Sequence, residues 1–377
     1  LAVERGSDQI NMLLQQMDAL AKRAAPLREH LSPEDVLADL GRYVDQVRLA
    51  CALEIDAHRT DALNVGGWLA DAADRAVNIV IRLAKAQLGL DDDFPFAAVA
   101  LGKHGSREMG LVSDLDLVFV LACDDPAAAA AEGKTKREWA QRLGRRVIQY
   151  LSTQPPFGAG YELDSRLRPS GKKGVLVTAL KHFRAYQLGE AQTWKHQALC
   201  RARVVAAPGT VRRDVEAVLW EVIAMPRDPQ RLAAEVKAMR QKMLGHLAAH
   251  GPQVINLKHD AGGLVDIEFL AQYARLAFGG ESTGTVAGLR GLPSNVPHAW
   301  RKSAGFLADT YLIYRGMENA LRVELWRSIG HLPANPDASE WETMRRHTLI
   351  HDPDALRAKM HEVRSRFLEL LGVCPDL

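Results

Sequence analysis

Cysteine is scarce in this sequence. The four present, Cys51, Cys123, Cys200 and Cys374, stand far apart with no C-x-x-C spacing. That pattern excludes a disulfide framework and a short-spaced zinc site, and it fits a reducing, cytoplasmic home. Long apolar runs are missing too: a membrane span takes ~18 or more residues, and the best stretch, residues 115–123, is far shorter and holds Asp116. Neither sign of charge dominates, with 48 Lys and Arg against 46 Asp and Glu. Nothing in the composition therefore advertises adhesion to nucleic acid or to a membrane surface. No G-x-x-x-x-G-K-[ST] string occurs, so P-loop chemistry drops out. The chain starts at Leu1 rather than Met, with Glu4, Arg5 and Asp8 following and no apolar signal core; it reads as a cut end or a piece of something longer.

What remains has the composition of an ordinary folded protein, 47% hydrophobic and 25% charged over 377 residues, enough for two or three packed units at ~150 residues each. Residues 33–90 are Ala-rich, with Trp68, Leu69, Val77, Val80, Ile81 and Ala84 recurring at helical spacing until residues 88–94 break the pattern. FAAVALG (96–102) and LDLVFVL (115–121) read as buried strands joined by a Gly-containing loop. The alanine tract at 127–131 falls in a loop, and 136–152 form a helix in which Trp139, Leu143, Val147 and Leu151 step by four. GYELDSRL (160–167) and GVLVTA (174–179), separated by PSGKKG, are expected to close into an antiparallel hairpin. Beyond Lys181 the pattern is helical, with one stripe at Leu232, Val236, Met239, Met243 and Leu247 and another at Leu307, Tyr311, Tyr314, Leu321 and Leu325. Residues 279–297 read as a loop or a break between helices. The expectation is an α+β chain: a helical or linker segment over 1–64, a domain with a small mixed sheet over 65–208, and an all-helical bundle over 209–377.

The segment GKHGSREMGLVSDLDLVFV (102–120) stands out. Alternate side chains of a strand share a face, so Asp114 and Asp116 point together. Unneutralised, the two would repel and one would be driven to protonate; a divalent cation removes the conflict, and oxygen-only ligands favour Mg²⁺ or Mn²⁺ over zinc. Solvated carboxylates on an edge strand are the bland account of a bare D-x-D, but acids inside so apolar a run are costly unless paired or metal-bound. Just upstream, Gly105 and Ser106 are small enough to bring backbone N–H groups to a phosphate. Asp164 shares a face with Arg166, and Arg168 continues it, giving one more carboxylate beside guanidinium groups suited to phosphate. An ion-pair ladder between Asp164 and these arginines is the structural alternative. Lys172 and Lys173, at the turn, are better read as solvated than as phosphate ligands.

A Gly-Ser pair followed by D-L-D and a later single Asp resembles the DNA polymerase β-type nucleotidyltransferase superfamily. The strings GKHGSREMGLVSDLDLVF, YELDSRLRPSGKKGVLV, TWKHQALCRARVV and INLKHDAGGLVDIEFLAQY, in this order over residues 96–273, resemble the glutamine synthetase adenylyltransferase and adenylyl-removing family. That family carries two related units in one long chain, and this chain has room for one. RLRPSG, WKHQAL and DAGGLVDIEF are similar to the C-terminal, adenylyl-attaching unit, where the removing unit has Phe after RLRP and an R-E-I-E-F string. The resemblance implies a polymerase β-like catalytic domain over 65–208. It also implies transfer of AMP from ATP to a tyrosine of glutamine synthetase with release of pyrophosphate, in the service of nitrogen assimilation. It further implies two Mg²⁺ ions, with Mn²⁺ as the substitute, on Asp114, Asp116 and Asp164. Lys103, Gly105 and Ser106 would hold the β- and γ-phosphates, and Arg166 and Arg168 the leaving pyrophosphate. Asp164 is equally a base or a ligand alone. His104, where the family has Leu, and Ser106, where it has a second Gly, depart from the pattern, and past Phe278 the match fades.

Other candidates carry less. His246 and His250 have helical ligand spacing, but HLAAH lacks the Glu of the zinc-protease string. If Asp266 and Glu268 are helical, a two-residue step sets them ~200° apart, too far for a second paired site. Lys258, His259 and Asp260 either reach the active-site cleft or, through Asp260 or the glycines, cap the helix. Trp194 reads as helix packing rather than an adenine stacker, and Lys195, Arg201 and Arg203 as a solvated face or as phosphate contacts. Three rivals stand beside the transferase: the phosphorolytic AMP-removing unit, a non-catalytic module binding glutamine synthetase or a PII-type signal protein, and a nucleic-acid nucleotidyltransferase, which the charge balance disfavours. The partner unit of a longer chain is a further expected partner.

Overall fold

The structure, a computed structural model, describes residues 2–24, 32–123, 125, 127, 133–155, 158–248, 251–294, 296–325 and 331–372. Leu1, residues 128–131 of the alanine tract, His250 and Cys374 lie outside the described residues, as do the side chains of Lys172 and Leu325. Three helices come first, α1 (Ala2–Ala24), α2 (Pro33–Asp56) and α3 (Ala62–Gln87). They lead into β1 (Phe96–Ala100), the one-turn helix α4 (Gly102–Gly105), β2 (Leu115–Leu121) and α5 (Lys136–Ser152). Then come β3 (Leu163–Asp164), β4 (Val177–Ala179), α6 (Leu180–Gly189), α7 (Thr193–Leu199), β5 (Arg203–Ala206), α8 (Gly209–Ala224) and α9 (Pro229–Leu247). The remainder is β6 (Val254–Asn256), α10 (Leu264–Phe278), α11 (Thr285–Arg290), α12 (His298–Leu325), β7 (His331–Pro333), α13 (Ser339–His347) and α14 (Pro353–Leu370). Among the described residues no helix is long and apolar enough to cross a membrane. The chain forms two compact units, residues 1–53, 64–191 and 201–222 in the first and 54–63, 192–200 and 223–377 in the second. The N-terminal helices thus fold with the sheet-bearing unit, where the sequence suggested a separate segment.

In the first unit a mixed sheet runs β3-β2-β1-β5, with β4 also on β2. β1 and β2 are antiparallel, Ala98 opposite Phe119, and only Asp116 interrupts their burial. That is the expected consequence of two short apolar runs joined by a Gly-containing connection. Helix α5 falls where its stripe put it, with Trp139, Leu143, Val147 and Leu151 buried beneath a Thr135/Glu138 capping box. The expected antiparallel hairpin does not form. β3 and β4 each pair with β2 and run parallel to it, Asp116 opposite Asp164 and Phe119 opposite Val177. PSGKKG does turn, with Ser170 and Gly171 at φ 59° and 56°, but the turn belongs to a loop thrown out from one edge of β2. β5, inside a string that read as helical, adds a further antiparallel strand on β1.

Helix α3 fixes the connection between β1 and β2. Asp71 accepts both guanidinium arms of Arg107, at 2.7 and 3.0 Å. One turn on, Asp74 accepts from His104 Nε2 at 2.7 Å and from Arg203 at 2.5 and 3.0 Å. Arg203 also donates to the carbonyls of His104 and Gly105 at 3.2 and 3.3 Å. Burial holds the His104 imidazole below its usual pKa, and the bond to Asp74 does not reverse this, because Arg203 already supplies that carboxylate with positive charge. Burial pushes the Asp74 carboxyl the other way, but the hydrogen bonds from His104 and Arg203 outweigh it and hold Asp74 below the ordinary carboxylate range. His104, which no family pattern explained, is therefore a neutral structural donor.

The second unit is mostly helical but not wholly so, since β6 and β7 pair antiparallel, and residues 279–297 contain α11. Helix α10 packs on α7, α9, α11, α12 and α14. The α9 stripe buries Leu232, Val236 and Arg240, while Leu247 stays exposed. Arg240 and Asp266 form an ion pair with both side chains fully buried. Arg240 also donates to the carbonyls of His259 and Asp260, and Asp266 accepts from Gly262 N and Arg364. Asp266 and Glu268 both lie on α10 and serve different partners, Glu268 accepting from Tyr311 at 3.3 Å. The carbonyl of Asp260 accepts from Gly263 N at 2.9 Å. Its carboxylate accepts from Asn256 N at 2.7 Å, and Gly263 holds the N-cap position.

Two stability predictions follow from these networks. Asp266→Ala strands a buried guanidinium and is expected to cost ~3–5 kcal/mol, whereas Arg364→Ala, at a partly exposed partner, costs no more than ~1 kcal/mol; urea titration separates them. Folded His104 and Asp74 both bind protons less readily than when unfolded, so stability falls on acidification, from His104 below pH ~6.5 and from Asp74 below pH ~4. His259, pushed down to about 4 by burial, acts in the same direction. The fall in urea midpoint between pH ~7 and ~5 should shrink, without vanishing, in His104→Gln; an unchanged fall would contradict the clamp.

Candidate active site

The parallel register of β2 and β3 decides the site. Asp116 and Asp164 are Cα partners on adjacent strands, about 4.8 Å apart across the ladder and facing the same side. Leu115 N donates to Glu162 O at 2.8 Å and locks that alignment. Asp114, exposed, sits one residue before β2 begins. The three charges meet at Arg166, whose pKa is raised first by its hydrogen bond and charge contact to Asp164, then by Asp116 and Asp114. Arg166 donates its backbone N–H to Asp164 Oδ1 at 2.8 Å and its Nε to Oδ2 at 2.7 Å, while its own side chain stays mostly in solvent. The Asp164–Arg166 ion pair that competed with a functional account is thus present. Among the described residues no three His, Cys, Asp or Glu side chains stand close enough to hold an ion; the acids are neighbours, not a closed chelate.

Gly102 explains how Asp116 is tolerated beside the core. It opens α4 at φ 54°, in the left-handed region that favours glycine, and a Cβ there would run into Asp116 Oδ2. Leu101 N donates to Asp116 O at 2.9 Å, so turn and strand are tied through backbone and side chain together. The donor set of Asp114, Asp116 and Asp164 is all oxygen, which fits a hard divalent cation rather than zinc.

The other expected ligands occupy different positions from those the sequence suggested. Gly105 N donates to Leu101 O at 2.8 Å and Ser106 N to Gly102 O at 3.2 Å, and both residues are buried. Their amides close the turn instead of facing a phosphate. Gly105 is small because Ala100 O and Arg201 O press on its Cα. The Ser106 hydroxyl donates to Gly102 O at 3.1 Å. Lys103 lies in α4, its carbonyl accepting from Glu108 N at 2.9 Å. Arg168 is engaged by its own loop, donating to Ser165 O at 2.7 Å and to Gly174 O at 3.3 Å. Lys173 is exposed in the 3₁₀ turn, as a solvated lysine would be.

Arg201 pairs with Glu108 at 3.5 Å, both buried, and Arg203 belongs to the Asp74 cluster. Neither forms a solvated face. Trp194 donates to Gln192 Oε1 at 2.7 Å with the Lys195 ammonium over its ring. Sequence reasoning missed Asp71 and Asp74, although their three-residue spacing on a helix with a buried face was a usable sign that both acids meet one partner segment.

Residues 58–218 match the family model of glutamate-ammonia ligase adenylyltransferase, and residues 237–366 that of GlnD PII-uridylyltransferase. The chain is 40% identical over 292 residues to a bifunctional glutamine synthetase adenylyltransferase/adenylyl-removing enzyme of Pseudomonas aeruginosa, covering 69% of this chain and 30% of that protein. Similarly named proteins of Aromatoleum aromaticum and Burkholderia mallei are 40% and 37% identical, covering 68% and 81% of this chain and 27% and 33% of theirs. The chain thus spans about a third of the length of these relatives. With the acids of the nucleotidyltransferase pattern in register on β2 and β3 and this similarity across most of its length, the chain belongs to the glutamine synthetase adenylyltransferase family.

Proposed function

We propose that this chain is the adenylyl-attaching unit, transferring AMP from ATP to a tyrosine of glutamine synthetase and releasing pyrophosphate. The alignment of Asp116 with Asp164 across β2 and β3, with Asp114 just ahead, carries the reading. The choice of the attaching over the removing unit rests on RLRPSG, WKHQAL and DAGGLVDIEF. Asp114, Asp116 and Asp164 would hold Mg²⁺, or Mn²⁺ in its place. Bound there, the metal supplies charge neutralisation for the triphosphate and lowers the pKa of an oxygen it binds.

The rest of the chemistry falls to side chains of this chain. A tyrosine hydroxyl with pKa ~10 is only about one part in a thousand ionised at neutral pH, so the nucleophile needs help losing its proton. Asp164 Oδ2 is the atom proposed to take it, with ligation alone as the alternative role. For either role Arg166 must leave Asp164. Its solvent-facing guanidinium would then turn from Asp164 toward the pyrophosphate oxygens as negative charge develops on them, exchanging a carboxylate for a phosphate partner of similar geometry. Gly102 keeps the Asp116 carboxylate fixed, so most of the rate acceleration comes from positioning and charge compensation. A PII-type signal protein is proposed as a partner from the match of residues 237–366, and a reducing cytoplasmic setting from Cys51, Cys123 and Cys200, none of which is in a disulfide.

Incubating glutamine synthetase with this chain, ATP and Mg²⁺ is expected to add one AMP mass per modified tyrosine, read by intact-mass spectrometry. Asp116→Asn and Asp164→Asn should each abolish the increment with far-UV circular dichroism unchanged; turnover retained in both would refute the assignment. Release of ADP from adenylylated glutamine synthetase on adding phosphate, without forward transfer, would instead identify the removing unit. Gly102→Ala, which places a methyl group against Asp116 at a positive φ, is expected to lower the transfer rate at least about tenfold while costing ~1–3 kcal/mol of stability.

A further inference from the structure

The second unit contains a cavity of about 320 Å³ unrelated to the acids of β2 and β3, at the lower end of the ~300–1,000 Å³ that small-molecule sites occupy. Two polar atoms of its lining are left without partners. Asn319 on α12 is 2% exposed, and its Oδ1 accepts no hydrogen bond; Thr60 Oγ1, between α2 and α3, is likewise buried and unpaired. A folded chain does not leave buried oxygens in this state without cost, so such atoms mark places where something else binds.

The remaining lining says what kind of molecule fits. Ile55, Leu312 and Leu349 give the cavity an apolar side, and Asp61 adds a carboxylate. Among the described residues lining it none is Lys or Arg, and the adjacent Arg59 and Arg346 are paired with Glu54 and Glu324. His58 and His347 also line the cavity, their ring centroids 4.4 Å apart, and the His347 Nε2 is held by Glu324 Oε1 at 2.8 Å. The cavity therefore presents hydrogen-bond acceptors and a carboxylate beside apolar surface, with imidazoles as the basic groups among its lining.

We propose that this cavity binds a small organic cation bearing N–H donors on an apolar chain, an alkylammonium or alkylguanidinium. Its N–H groups meet Asn319 Oδ1 and Thr60 Oγ1, and its chain lies along Leu312 and Leu349. This site is independent of AMP transfer. The test is isothermal titration of the full chain with n-butylammonium and n-butylguanidinium chloride, with sodium pentanoate as the size-matched anion. Saturable binding of at least one cation and none of pentanoate is expected. Asn319→Leu should weaken the cation about tenfold or more, the loss of one charge-assisted acceptor, and Asn319→Asp should tighten it. If Asn319→Leu fails to fold, Thr60→Val provides the same comparison. Absence of saturable cation binding, equal binding of pentanoate, or unchanged affinity in the folded variants would overturn the proposal and leave ordered water as the partner of both oxygens.

Discussion

A single carboxylate, Asp74, ties together parts of the first unit that are far apart in the chain. It is carried on α3, receives His104 from the connection between β1 and β2, and receives Arg203 from β5. Arg203 in turn reaches back to the carbonyls of that connection. Partly buried charges are expensive unless they are paired, and here one acid accepts from a neutral imidazole and a guanidinium together, while His104 Nδ1 stays buried without a partner. The position of α4 follows from this cluster, and with it the contact of Gly102 on Asp116. The placement of Asp116 therefore depends on α3, a helix whose own acids, Asp71 and Asp74, bind the connection ahead of β2.

Much of this unit was legible in the sequence, for a physical reason. β1, β2 and α5 are built from local apolar patterns whose period is unmistakable, and their burial follows from composition alone. Asp114, Asp116 and Asp164 stood out because acids beside LDLVFV need an explanation. What could not be read was partner choice. PSGKKG signals a change of direction, but β3 and β4 pair with β2 rather than with each other, and no local period distinguishes the two arrangements. β5 is four residues long, too short to show alternation against a helical background.

Glycine and serine show another kind of ambiguity. Gly105 and Ser106 have the sizes an anion-binding turn requires, and the same sizes a close-packed turn requires. The structure uses them for packing, Gly105 beneath the carbonyls of Ala100 and Arg201 and Ser106 hydrogen-bonded to Gly102. His104 reverses the case: an unexplained departure in the sequence becomes a necessary donor once Asp74 is seen beside it. Residue type narrows the possible roles, and the neighbours supplied by distant segments choose among them.

The interruption of the sheet edge brings these observations together. Along β2 the pairing advances three residues from Asp116 to Phe119, while the partner chain advances thirteen, from Asp164 to Val177. The excess is looped out, and Arg166 and Arg168 lie in that loop. Had residues 163–179 continued as one strand, Arg166 would have been fixed in the ladder, its backbone N–H bonded to β2 instead of to Asp164. Breaking the edge keeps Asp164 in register with Asp116 and leaves Arg166 outside the ladder, its guanidinium on Asp164 and largely in solvent. A short, broken edge also offers little backbone for another strand to join. The same irregularity therefore protects the sheet and sets a solvent-facing cation beside Asp164.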